Sequence, residues 1–149
     1  MKQGEMLNAM ILIATNAHAG QTDRGGQPYI LHPLKVMDLL DTKDEELRCI
    51  AVGHDVIEDT KTTWDDLREA GMSDRVIKGI KALTKMPGQS YDQYKDDVFA
   101  NVDAMKVKQC DLQHNSDIRR LKGISEKDII RMEKYHRFYL EIQSSLMDE

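Results

Sequence analysis

Apolar residues recur at helical spacing almost from the start of this chain. Met6, Leu7, Met10, Ile11, Ile13, Ala14 and Ala17 fall along one side of a segment spanning residues 3–19. No convincing series of strands competes with that pattern. Gly20 stops the first segment, and residues 20–28, which hold three glycines and a proline, are expected to form a loop. Pro33 suits a first helical position, so a second helix is expected over 33–40. A third is expected over 44–55, with Leu47, Ile50, Ala51 and Val52 facing inward. Thr62 or Thr63 caps a short helix through Ala70, ended by Gly71, and Ser73 opens another that runs to Leu83. After the Pro87-Gly88 break, Ser90 and Gln93 form a capping box for the next helix. Helices over 104–120 and 126–146, the latter capped by Ser125 with Asp128, complete the set. The expectation is an all-α, orthogonally packed single domain over 1–149, with about seven or eight helices and no internal repeat or linker.

Composition narrows the setting. Aromatic residues are only 5% of the 149, so the core is built from Leu, Ile, Val, Ala and Met. Cys49 and Cys110 lack CxxC spacing and read as small core hydrophobes in a reducing compartment. The longest apolar stretch, near residues 10–14, is far short of the ~20 needed to cross a bilayer. The N-terminus lacks the basic flank and cleavage site of a signal peptide, so a cytoplasmic location and no membrane partner are expected. A net charge of −5 disfavours non-specific binding to nucleic acid, but leaves room for a small phosphorylated substrate held by a metal and a few local cations. No heptad seam is visible, which leaves the oligomeric state open.

The chemistry concentrates around His54-Asp55. Glu58 lies four residues after His54, and Asp59 four after Asp55. If the helix persists that far, these titratable side chains converge beside the apolar run 50–52. Such a cluster at the end of a buried helix is costly unless a cation organises it, and histidine nitrogen with carboxylate oxygen suits Mn, Fe or Zn. His32, just before Pro33, and Asp111, with Asn115 four residues beyond, can complete the set. Two His and two Asp from three helices leave space for water and a substrate oxygen. Among the other candidates, His18 reads as satisfying the end of the first helix and His114 as packing or supporting a ligand. His136 reads as surface and Trp64 as a packing anchor. The run 119–122 is either a basic patch or a solvated helix end.

The order of these motifs resembles the HD superfamily, specifically the hydrolase domain of RelA/SpoT homologues. It is carried by His18-Ala19-Gly20-Gln21, by Pro28-Tyr29-Ile30-Leu31-His32-Pro33, by His54 to Thr60, and by Lys108 with Asp111 and Asn115. The resemblance covers residues 18–121. It implies an HD-type fold and a Mn ion (or Fe, or another divalent transition metal) held by His32, His54, Asp55 and Asp111. It also implies that Glu58 and Asp59 are the acidic pair that orients water and handles protons. Asn115 would then lie at the nucleoside and Arg24 in the basic loop, with Lys108 helping to clamp phosphate. The implied activity is hydrolysis of the 3′-pyrophosphate of guanosine alarmones, (p)ppGpp to GDP or GTP plus pyrophosphate, as in the stringent response. The length is similar to that of the small alarmone hydrolases, so no synthetase domain is expected. This chain departs from the family at Asp23-Arg24, where two cations are common, at Leu112 in place of Arg, and at Ser116-Asp117-Ile118. Two alternatives follow: an HD phosphohydrolase of another nucleotide such as NADPH, or a non-catalytic module that senses a nucleotide.

Overall fold

In the computed structural model, which describes residues 1–148, the first helix α1 (Glu5–Ala17) buries Met10 and Ala14, as their spacing predicts. It ends at His18, whose backbone N–H donates to the Ala14 carbonyl, and Gly20 then turns the chain with φ of 84°. The helix α2 (Leu31–Leu40) begins two residues earlier than expected, so Pro33 sits inside the first turn. A proline is tolerated there because those N–H groups have no intrahelical partner. The early start matters, because it places His32 on the helix with its side chain buried.

The helix α3 (Glu45–Gly53) is capped by Asp44, whose carboxylate accepts from Leu47 N at 3.2 Å. It stops short of the expected 55. The chain resumes as a single turn, α4 (Val56–Asp59), after Asp55 departs from helical angles at φ −109° and ψ −1°. Then come α5 (Trp64–Glu69), α6 (Asp74–Ala82) and α7 (Tyr91–Phe99), capped by Thr63, Ser73 and Ser90 as their side-chain chemistry predicts. Capping boxes form at Thr63/Asp66 and Ser90/Gln93. The helix α8 (Val102–Asn115) ends five residues before the expected Arg120 (Asn115 against Arg120), and a turn of 3-10 helix (Ile118–Arg120) follows. The last helix, α9 (Glu126–Met147), carries the expected Ser125/Asp128 capping box. The fold is all-α. Among the described residues the only β-type pairing is an isolated bridge between Thr22 and Pro28.

The core is organised around α3, which packs against α1, α2, α6 and α8, while α9 lies along α8. Cys49, Ile50, Ala51 and Val52 are all fully buried. Two glycines allow the neighbours to approach. A Cβ on Gly79 of α6 would come within 2.4 Å of Ile50 Cδ1, and one on Gly53 within 2.7 Å of Met10 Cε. Truncating Ile50 to Ala would cost ~2–5 kcal/mol, the usual penalty for emptying a close-packed site. Both cysteines are buried and unpaired, and Trp64 packs half-buried against the core, as expected. No helix among the described residues is long and apolar enough to cross a membrane.

Candidate active site

Three helices deliver the expected ligands to one place: His32 from the first turn of α2, His54 and Asp55 from the end of α3, and Asp111 from α8. One ligand atom each from His32, His54 and Asp55 lies within 4.8 Å of the others. Asp111 joins them, with Oδ1 2.7 Å from His32 Nε2 and 3.4 Å from His54 Nε2. His54 Nε2 is also 3.0 Å from Asp55 Oδ2.

The hydrogen bonds behind this cluster orient the rings. His54 Nδ1 donates to the Ala51 carbonyl at 2.6 Å, which turns Nε2 toward the carboxylates. That Nε2 is buried and makes no well-aligned hydrogen bond despite its close neighbours. His32 Nδ1 lies 2.8 Å from His114 Nδ1, and the two rings stack at 5.0 Å. Burial, with Arg120 and His32 nearby, pushes His114 down to about 4. One of the two facing Nδ1 atoms donates to the other, according to the tautomers of the two rings. His32 Nε2 faces Asp111 Oδ1 at 2.7 Å, a spacing that a shared proton or a cation can occupy. A divalent ion fits this donor set: two imidazole nitrogens and two carboxylates, buried, with one orphaned nitrogen aimed among them.

Charge in the cluster follows the same logic. Burial opposes ionisation of Asp55, but the charge of His54 beside it outweighs it and holds Asp55 at about 2. Burial likewise opposes ionisation of Asp111, yet Lys108, His32 and His54 keep its carboxyl well below the usual range. Lys108 Nζ donates to Asp111 Oδ2 at 2.9 Å. His54 is driven well above its usual value: burial works against the charged ring, but Asp55 and Asp111 win. Two buried carboxylates demand positive charge, and in the metal-free chain His54 supplies it. Tyr29, from the loop before α2, donates its hydroxyl to Asp55 Oδ2. Burial and the Asp55 charge raise this phenol well above its ordinary value and keep it a donor.

The break at Asp55 puts Glu58 and Asp59 on the separate turn α4, where as adjacent residues they face different sides. Glu58 Oε1 accepts from Lys85 N at 2.6 Å and borders a cleft that also exposes His54 and Asp55. Asp59 points to a different side. Its backbone carbonyl accepts from Gln21 Nε2 at 3.0 Å, and Gln21 Oε1 accepts from His18 Nδ1 at 2.9 Å, so the His18–Gln21 motif braces α4. Partial burial, then the charges of Asp55 and Glu58, raise Asp59 to about 6.

A second cleft, of about 330 Å³, opens beside the cluster and is bordered by Arg24, Tyr29, Asn115, Arg120, Arg131 and Tyr135. Asn115 Nδ2 donates to Asp111 Oδ1 at 3.0 Å, and its carbonyl accepts from Arg120 Nη1 at 3.1 Å. Arg24 is exposed at the mouth. Arg120, expected in either a basic patch or a solvated helix end, instead folds inward to Asn115, to the His114 carbonyl and to Asp23 Oδ2 at 3.2 Å. The signal that could have found this is local: Asp117 accepts from Arg119 N at 3.1 Å, so an Asx turn ends α8 early. A Cβ on Gly25 would meet the Arg120 carbonyl at 2.1 Å, so only glycine permits this closure. Arg131 and Tyr135, which reach the cleft from α9, carry no local sequence signal of a site. His136 is exposed, as expected.

The HD domain family model matches residues 9–122. The bifunctional (p)ppGpp synthase/hydrolase SpoT of Escherichia coli is 39% identical over 88 residues, which cover 56% of this chain and 12% of that protein. A guanosine-3′,5′-bis(diphosphate) 3′-pyrophosphohydrolase of Aquifex aeolicus is 32% identical over 101 residues, 63% of this chain and 14% of the relative. The chain thus matches only a small part of the length of these curated relatives. A solved structure of a metazoan ortholog of SpoT, described as hydrolysing ppGpp, superposes with a TM-score of 0.78 at 18% identity. That match covers 95% of this chain and 87% of the other, which establishes the shared fold.

Proposed function

Because the chain belongs to the HD domain family, we propose that it is a metal-dependent hydrolase that removes pyrophosphate from the 3′ position of guanosine alarmones, ppGpp and pppGpp. The convergence of His32, His54, Asp55 and Asp111 in one buried cluster, with His54 Nε2 lacking an aligned hydrogen-bond partner among them, carries the proposal, because a cation satisfies those donor atoms. His32, His54, Asp55 and Asp111 would hold that ion. Mn suits their mix of imidazole and carboxylate, and Fe or another divalent transition metal would serve the same geometry. When bound, the ion would acidify water and offset charge on the attacked phosphate.

The chain's own residues do the rest. The oxygen of water bonds to the phosphorus attached to the ribose 3′-oxygen, and the bond from that phosphorus to the 3′-oxygen breaks. Water loses a proton and the departing 3′-oxygen gains one. The acidic pair of Glu58 and Asp59 is assigned the protonation of the 3′-oxygen, and Asp59, raised to about 6, exchanges protons near neutral pH. Glu58, on the other side of α4, orients water. Tyr29 holds Asp55 in place through its hydroxyl. The cleft bordered by Arg24, Asn115, Arg131 and Tyr135 takes the nucleoside, with the Tyr135 ring as a stacking face and Arg24 on phosphate. Lys108 stays with Asp111 and lends positive charge toward the substrate. The guanosine substrate is supported by the relatives named for it. A cytoplasmic setting in the stringent response follows from the same proposal.

A second substrate is favoured by one observation. Asp23 pairs with Arg120 where a free cation is common in the family, so the mouth of the nucleoside cleft is less positive than in those relatives. That favours another nucleotide, with NADPH the first to try. Purified protein with Mn is offered ppGpp and NADPH in parallel. GDP with pyrophosphate is the expected product; orthophosphate from NADPH with no turnover of ppGpp would overturn the alarmone assignment.

A further inference from the structure

Two clefts flank the cluster and share no lining residue. One opening is the nucleoside cleft with its arginines and Tyr135. The other lies between α4, α7, α8 and α9, where His54, Asp55 and Glu58 face Lys85, Lys108 and Lys134. The last helix spans both, sending Arg131 and Tyr135 into the first and Lys134 into the second.

The basic residues around this opening differ in their partners. Lys95 pairs with Glu141 at 2.9 Å and Arg137 with Glu133 at 2.6 Å. Lys108 is committed to Asp111 at 2.9 Å. Lys85 and Lys134 make no ion pair among the described residues. Lys134 Nζ instead stands 3.8 Å from the centre of the Tyr91 ring, a contact that holds the ammonium in place without neutralising it. Two unspent ammonium groups therefore flank an opening that leads straight to His54 and Asp55. With Lys108 between them, the arrangement matches a compact, multiply charged, oxygen-rich ligand.

We propose that this opening is a pyrophosphate subsite, in which Lys85 and Lys134 bind the distal phosphate of the 3′-diphosphate and then the departing pyrophosphate. The subsite rests on the proposed hydrolase activity for its place in the reaction, because the attacked phosphorus lies at the cluster with the nucleoside on the first side. The distal phosphate must then leave by the second. The same lysines favour a 3′-diphosphate over a 3′-monophosphate and make pyrophosphate a product inhibitor.

The test is titration calorimetry of inorganic pyrophosphate, and separately of GDP, into the Mn-supplied full chain at a fixed free Mn concentration. Lys134→Gln and Lys85→Gln are expected to weaken pyrophosphate binding by ~5- to 10-fold each, the scale of a partly exposed charge-assisted contact, and to leave GDP affinity unchanged. Lys134→Arg should restore most of the loss. Exposed Lys78 on α6 is the control, and Lys78→Gln should change neither ligand. Unchanged pyrophosphate affinity in both subsite variants, or an equal loss in Lys78→Gln, overturns the subsite. If the chain fails to hydrolyse ppGpp yet binds pyrophosphate through these two lysines, the substrate assignment falls and the anion site stands.

Discussion

Two polar clusters of this molecule invite comparison, and they obey opposite rules. Arg75 of α6 bonds Asp44 at 2.7 and 3.1 Å and Asp103 at 2.8 and 2.9 Å, with Glu46 a further 3.6 Å contact. Every donor it uses meets a carboxylate, and the guanidinium is 38% exposed, so the group fastens α6 to the N-terminal ends of α3 and α8 at little desolvation cost. The cluster around His54 is buried, brings two imidazoles and two carboxylates together, and leaves His54 Nε2 without an aligned partner. A satisfied polar cluster at the surface is architecture. A buried cluster that its own residues cannot satisfy is completed by a ligand.

That contrast can be broken by substitution. Asp55→Ala should cost the most, with kcat/KM for ppGpp falling at least ~10²–10³-fold, the scale of losing one electrostatic contact to developing charge. Metal retained after gel filtration, read by elemental analysis, should fall with it, while the fold survives. A variant that loses activity but keeps its metal would separate Asp55 from the ligand set.

Arg75→Ala should do the reverse. It is expected to lower stability by ~1–2 kcal/mol, discounted for exposure, and Tm by ~3–8 °C, with activity per folded molecule unchanged. The pH dependence sharpens this. Hydrogen bonding to Arg75 holds Asp44 below its usual 3.8, so the stabilisation is present above that value and is lost as pH falls through the lower folded-state value. The Tm gap between wild type and Arg75→Ala should therefore narrow below about pH 4, and a gap constant from pH 3 to 7 would contradict the assignment.

The smallest effect is expected at Asp59. Burial and neighbouring charge raise it to about 6, so in metal-depleted protein its contribution is intact at low pH and is lost as pH rises through that value. Asp59→Asn should melt slightly above wild type at pH 7.5 and coincide with it near pH 4. Thermal scans at both pH values decide it; a lower Tm at pH 7.5 would mean that the carboxylate is stabilised instead.

Much of this was legible in the sequence, for local reasons. Caps at Thr63, Ser73, Ser90 and Ser125 announce themselves because side chain and backbone partner lie within three residues. His32, His54, Asp55 and Asp111 were readable from motif order, and they do meet. What was hidden depends on tertiary placement. The break at Asp55, which puts Glu58 and Asp59 on a separate turn, carries no glycine or proline at that residue. Tyr29 lies within a recognised motif, yet its bond to Asp55 joins residues far apart in sequence. Arg131, Lys134 and Tyr135 look like any amphipathic helix until α9 is laid along α8.

The central claim is that a divalent ion completes the buried cluster, and the most direct measurement is a calorimetric titration of Mn into metal-depleted protein, repeated with Asp55→Ala. One ion per chain is predicted for the wild type, with thermal stability rising by ~2.7 kcal/mol at an ion concentration about 100 times Kd and little or no binding in the variant. Absent binding in the wild type, or equal binding in both proteins, would contradict the account.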